Sequence, residues 1–220
     1  HPAAGGLKKM AGHRLSGGKS LCLFTGDVYG NTAPEIIIAD STSFTVFNTG
    51  GELLSETEIP AKALDPSFLY DYDRDGKLDL FCGSTSSENI SVTVINGCGS
   101  IIQNIGLSLK EKGYSSILPQ CISGGTLYCV AREIWADSPR GVVALELPGF
   151  TEKWTFFIPS DPVKISRQRT AAGDELFTIS HITQHTGKFS HLGTGGKRLK
   201  PGDNSIRLFR TNPAGEVLCY

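Results

Sequence analysis

Asp71-Tyr72-Asp73-Arg74-Asp75-Gly76-Lys77-Leu78-Asp79, followed at once by the apolar run Leu80-Phe81-Cys82, decides how this chain is read. The spacing is D-x-D-x-D-G-x-x-D. Carboxylates at alternate positions, a turn glycine at the sixth and a fourth carboxylate at the ninth suit a hard cation with oxygen ligands, Ca²⁺ foremost. On this reading Asp71, Asp73 and Asp75 point inward and Gly76 takes the sharp turn. The carbonyl of Lys77 and the carboxylate of Asp79 close the shell. A charged hairpin without an ion is the bland alternative, but four carboxylates this close repel one another unless a cation or a spread geometry relieves them. An EF-hand shares the first half of the pattern, yet it needs an acidic ligand at position 12, where this chain has Cys82. It also needs flanking amphipathic helices. Here Ser67-Phe68-Leu69-Tyr70 and Leu80-Phe81 are short and strand-like.

The rest of the chain repeats this arrangement. Around the nonapeptide, Phe68–Tyr70, Leu78–Cys82, Ile90–Ile95 and Ile101–Ile105 read as four strands, with Asn96-Gly97 opening the last turn. Upstream, Leu21–Thr25, Glu35–Ala39, Phe44–Asn48 and Leu53–Glu56 follow the same order, with a turn at Asn48-Thr49-Gly50-Gly51. A shift of 44 residues lays Asp27 on Asp71, Asn31 on Asp75 and Glu35 on Asp79. Tyr29 and Thr32 then replace a carboxylate and the turn glycine. Asp27, Asn31 and Glu35 are therefore either a weak second metal site or, preferably, a vestige, because affinity falls with ligand charge. A third unit holds Gly125–Cys129, Val142–Leu147, the turn Pro148-Gly149-Phe150 and Lys153–Phe157. A fourth holds Asp174–Ile179, Ser205–Phe209, the turn Asn212-Pro213-Ala214-Gly215 and Glu216–Cys219, interrupted by the Gly-, Lys- and His-rich insertion His181–Asp203.

The nonapeptide resembles the calcium loop of FG-GAP and VCBS repeats, found in integrin-α-like β-propellers and many secreted bacterial proteins. The resemblance rests on Asp71, Asp73, Asp75, Gly76 and Asp79; the other units match in strand pattern only. It implies a loop between the first two strands of a blade, with structural Ca²⁺. The expected fold is all-β, a β-propeller of about four four-stranded blades at residues 21–62, 63–112, 113–162 and 163–220. Either it closes as a small ring or it is an arc of a larger propeller. Residues 1–20 read as an N-terminal arm.

Composition agrees with a turn-rich β protein: 26 glycines and 11 prolines in 220 residues, with one methionine. A net charge of −1 gives no reason to expect nucleic acid or an anionic membrane as partner. No apolar run is long enough for a membrane-spanning helix. Six cysteines (22, 82, 98, 121, 129 and 219) include no C-x-x-C pair, so zinc is not expected. Their even number beside a calcium loop suits an oxidising compartment with one or two disulfides, hence a secreted, extracellular or periplasmic protein. Cys82 and Cys129 stand at equivalent second-strand positions and read as small buried residues. Cys121 is expected just before a strand. Asn89-Ile90-Ser91 is a glycosylation sequon, with Asn89 as acceptor. His181, His185 and His191, and the cluster Lys188, Lys197, Arg198 and Lys200, read as parts of a solvated loop rather than a metal or anion site. His1 as a copper ligand is set aside in favour of a processed terminus.

No G-x-S-x-G, H-E-x-x-H or P-loop is present. The expected function is therefore a calcium-stabilised interaction module that binds protein or glycan. A further expectation is a subunit of an extracellular assembly or filament that self-associates through the arm and sheet edges. The alternative is a carbohydrate-active enzyme (a glycan lyase or hydrolase) or a fragment of one.

Overall fold

The computed structural model describes residues 21–59, 64–84, 90–108, 114–132, 140–157, 161–171, 173–181 and 207–219. The arm, Asn89, His185, His191 and the basic cluster of the insertion lie outside them. Among the described residues sixteen strands form four antiparallel four-stranded sheets, each a simple meander. Sheet one is β1 (Cys22–Gly26), β2 (Glu35–Ala39), β3 (Ser43–Phe47) and β4 (Leu53–Glu58). Sheet two is β5 (Leu64–Tyr70), β6 (Asp79–Ser84), β7 (Ser91–Ile95) and β8 (Ile101–Gly106). Sheet three is β9 (Ser116–Ser123), β10 (Thr126–Arg132), β11 (Gly141–Glu146) and β12 (Thr151–Phe157). Sheet four is β13 (Asp161–Thr170), β14 (Gly173–His181), β15 (Arg207–Thr211) and β16 (Val217–Cys219). These are the blades of a propeller-like fold. Cys121 lies within β9 rather than ahead of a strand.

Strand position within a blade explains each strand's composition. Middle strands β6, β7, β10 and β11 are buried along nearly their whole length, so apolar residues occupy both faces. Outer strands β4 and β8 alternate toward solvent. The third-to-fourth strand hairpin is built alike in blades one, two and four. Gly51, Gly99 and Gly215 take positive φ, and their N–H groups donate to the carbonyls of Asn48, Asn96 and Asn212. The Oδ1 atoms of the same asparagines accept from Glu52, Ser100 and Glu216 N–H. All four hairpins carry a register shift just before the turn, which adds twist at the rim.

Consecutive blades stack through three apolar cores. Ile37, Ala39, Phe44 and Val46 of blade one meet Leu80, Cys82 and Ile95 of blade two. Phe81, Val92 and Val94 on the other face of blade two meet Ile117, Leu127, Cys129 and Val143 of blade three. Tyr128, Val130, Val142 and Ala144 meet Ile165 and Leu176 of blade four. Polar ties reinforce the third seam: Ser123 Oγ donates to the Asp174 carboxylate, and Ile165 N–H donates to Gln120 Oε1 at 3.3 Å. Among the described residues three apolar cores join consecutive blades.

The cysteines differ from expectation. Cys22, Cys82, Cys98, Cys121 and Cys129 are all free thiols, so the expected one or two disulfides are not formed among them. Cys82 and Cys129 are fully buried at matching positions of β6 and β10, as small core residues. Burial pushes both thiols up, and Cys121 to about 11.

Candidate metal centre

The nonapeptide joins β5 to β6, leaving the sheet at Tyr70 and re-entering it opposite, at Asp79. Two residues in left-handed conformation fold it back, Arg74 (φ 64°) and Gly76 (φ 84°). Gly76 N–H donates to Asp71 Oδ2 at 3.2 Å, Asp75 N–H to Asp73 Oδ1 at 3.1 Å, and Lys77 N–H to Asp75 Oδ1 at 2.9 Å. Tyr72 N–H donates to Asp79 Oδ2 at 3.0 Å. Oxygens of Asp71, Asp73 and Asp79 thereby lie within 4.8 Å of one another.

Two features of this cluster are unsatisfied. Asp71 Oδ1 is buried with no hydrogen-bond donor. Asp79 is only 3 % exposed, and its carboxyl is pushed up to about 6. Burial is the main cause; the Tyr72 N–H partly opposes it, and the charges of Asp73, Asp75 and Asp71 add to it. An oxygen-only set with an orphaned lone pair and a frustrated buried carboxylate fits a hard divalent cation.

Asp75 stands apart from the other three. Its Oδ2 pairs with Lys77 Nζ at 2.7 Å, which pulls its pKa down and that of Lys77 up, so it lies outside the cluster of three instead of pointing inward with them. The Lys77 side chain lies against Gly30 of the preceding blade.

The corresponding loop of blade one has the same backbone with its residues exchanged. Gly30 (φ 71°) stands where Arg74 does, and Thr32 (φ 68°) where Gly76 does. Asp27 is satisfied by three N–H groups, those of Gly30, Asn31 and Thr32. Glu35 Oε2 accepts from Val28 N–H at 3.0 Å, matching Asp79 and Tyr72. Asn31 Oδ1 accepts from Ala33 N–H as Asp75 does from Lys77, while its Nδ2 donates to Glu35 Oε1 at 3.0 Å. Tyr29 turns away and bonds Ser55. Asp27, Asn31 and Glu35 are thus brought together, with the Asn31 amide supplying the positive dipole that a cation would supply in blade two. The loops touch through Leu78 N–H and the Asp27 carbonyl, at 2.9 Å.

Beside the blade-two loop is a recess of about 500 Å³, lined by Tyr70, Tyr72, Asp73, Arg74, Leu147 and Pro148 among others. Tyr72 holds it open: its hydroxyl donates to the Pro148 carbonyl at 3.2 Å, and its ring packs against Phe81 and Phe150. Asp73 is the one carboxylate among the lining residues. Sequence reading missed this recess. Tyr70 and Tyr72 flank the first aspartate, but only the approach of the Pro148 turn from blade three makes a cavity of them.

Among the described residues no helix is long and apolar enough to cross a membrane. No family model matches the chain, and no curated protein does. Several solved structures are similar to it at low identity. It is similar to Kuenenia stuttgartiensis hydrazine synthase (13 % identity, 83 % of this chain and 49 % of that one, TM-score 0.49). It is similar to an exo-β-1,3-galactanase from Clostridium thermocellum (8 % identity, 88 % and 47 %, TM-score 0.47). It is also similar to BBS1N, solved in complex with ARL6DN (12 % identity, 89 % and 76 %, TM-score 0.39). The chain spans about half the length of the first two.

Proposed function

We propose that this chain is a calcium-stabilised propeller segment that acts as an interaction module for protein or glycan. The observation that carries the calcium half is the contrast between the two loops. In blade one both oxygens of buried Glu35 accept a hydrogen bond from within the loop, one from Val28 N–H and one from the Asn31 amide. Blade two has the same backbone but leaves Asp79 and Asp71 Oδ1 to be neutralised from outside. Asp71, Asp73 and Asp79 would hold the ion, with Asp75 and the Lys77 carbonyl recruited on binding. When bound, the cation supplies charge neutralisation and ties β5 to β6. A cluster with few charged ligands suits calcium at roughly 10⁻⁴–10⁻³ M, so the reading places the protein outside the cytosol, secreted or periplasmic.

The interaction half rests on the recess beside the ion. Two tyrosines, an exposed arginine and an acidic rim are the groups that recognise a polar ligand with an apolar face. Thermal unfolding in EGTA, then in Ca²⁺ or Mg²⁺, tests the first half; Ca²⁺ alone should restore the melting temperature, and an unchanged melt overturns it. Panels of glycans and peptides against the Ca²⁺-loaded chain and its Arg74→Ala variant test the second. Ligands that bind both forms equally would place recognition elsewhere.

A further inference from the structure

The recess beside the blade-two loop contains two polar groups that the fold does not use. The Arg74 guanidinium lines it, is exposed, and makes no hydrogen bond or ion pair among the described residues. The Tyr70 hydroxyl makes no hydrogen bond among them either, and Tyr70 is 39 % exposed. Tyr72, by contrast, is committed to Pro148, Phe81 and Phe150. The Tyr70 ring is therefore the open aromatic surface of the recess. Asp73 is committed too. Its Oδ1 accepts from Asp75 N–H at 3.1 Å, and an oxygen of it lies in the cluster with Asp71 and Asp79. The guanidinium is the charged group left to meet a ligand.

The backbone on the blade-three side is also occupied. Leu147 N–H donates to the Gly125 carbonyl at 2.8 Å, Pro148 has no N–H, and its carbonyl accepts from Tyr72. An extended peptide is held chiefly by main-chain bonds, and these groups are already spent. A sugar ring asks less of the backbone, because its C–H face lies on an aromatic ring and its edges take side-chain bonds. A volume of about 500 Å³ is ordinary for a small ligand. A guanidinium fork with no carboxylate of its own favours a ligand that supplies one.

We propose that the recess holds a sugar acid, with a uronate ring laid on Tyr70 and its carboxylate on the Arg74 guanidinium. This deepens the interaction reading above, and rests on the calcium reading for one further property. Asp73 belongs both to the carboxylate cluster and to the recess. A cation held by the cluster cancels the charge that would repel the uronate, so the two ligands strengthen each other by the same factor.

NMR titration of the isotope-labelled full chain tests this with three probes: methyl glucuronide, methyl glucoside, and N-acetyl-aspartic acid methylamide, which carries a carboxylate without the ring. In Ca²⁺, glucuronide should shift the signals of Tyr70, Arg74 and Leu147. It should bind about tenfold more tightly than glucoside, the worth of one charge-assisted contact. In EGTA its affinity should fall severalfold. Arg74→Gly puts at this left-handed position the residue that blade one carries there, so the turn is kept. That variant should bind both sugars equally and still gain melting temperature with Ca²⁺. Equal binding of the two sugars by the wild type overturns the proposal, as does a preference that survives Arg74→Gly. An aspartate derivative that binds as tightly as glucuronide overturns the sugar assignment. Glucuronide affinity unchanged by EGTA, in a chain whose melt responds to Ca²⁺, overturns the coupling alone. A melt indifferent to Ca²⁺ overturns the calcium reading and the coupling together. Signals that move only outside the recess overturn it as the ligand site.

Discussion

Replacing Asp79 by asparagine should strengthen the ion-free fold and abolish its response to calcium. Asp79 is buried in blade two with its carboxyl held near 6, against an ordinary 3.8. The folded pKa lies above the unfolded one, so the folded state holds the proton more tightly. The stability this group lends is complete below about pH 4 and is lost as pH rises to about 6. Each pH unit across that window is worth about 1.4 kcal/mol, so the ionised carboxylate weakens the ion-free fold by about 3 kcal/mol at neutral pH. Asparagine keeps an acceptor for the Tyr72 N–H and adds a donor, as Asn31 does in blade one. In EGTA near neutral pH, Asp79→Asn should recover most of that energy, a rise in melting temperature of about 6–12 °C for a chain of this size. Its stability should also decline less than that of the wild type between about pH 4 and 7, because the Asp79 contribution is gone while that of half-buried Asp65, whose carboxyl burial also pushes up, remains. Calcium should stabilise the wild type by about 3 kcal/mol at a hundredfold excess over Kd, and leave the variant unmoved. Urea titrations at four pH values, with EGTA or Ca²⁺, measure all of this. A variant less stable than wild type in EGTA, or one still stabilised by calcium, would refute the account of Asp79 as the frustrated ligand.

Other perturbations probe the neighbouring structure. Asn31→Asp removes the amide donor to buried Glu35 and adds a charge; the fold should lose about 1–3 kcal/mol in EGTA, read from the urea midpoint. Gly83→Ala places a Cβ on the Ile117 carbonyl at the seam of blades two and three, so the blades must part; a loss of about 1–3 kcal/mol in the same titration is expected. Thiol labelling of the native chain should modify exposed Cys98 before Cys82 and Cys129, which should react only after unfolding; mass spectrometry of labelled peptides reads the order.

Asp71-Tyr72-Asp73-Arg74-Asp75-Gly76 together with its weaker copy 44 residues earlier was enough to read a propeller-like repeat, because spacing and turn chemistry are local. The Asn-x-x-Gly turns at 48, 96 and 212, and the buried cysteines 82 and 129, were legible for the same reason: each answers to its own strand or turn. What spacing along the chain could not hold is which side chains pair once the loops are folded and the blades are stacked. Asp75 reads as a ligand like its neighbours, and only the folded loop shows Lys77 drawing it aside. Asn31 looks like a lost carboxylate until its amide is seen facing Glu35. Five thiols that suggested pairing are free. Whether four blades close or stop as an arc depends on the angle between stacked sheets, summed over three seams. That angle is set by side-chain packing such as Gly83 against Ile117 and Gly215 against Trp154, which no periodicity along the chain encodes.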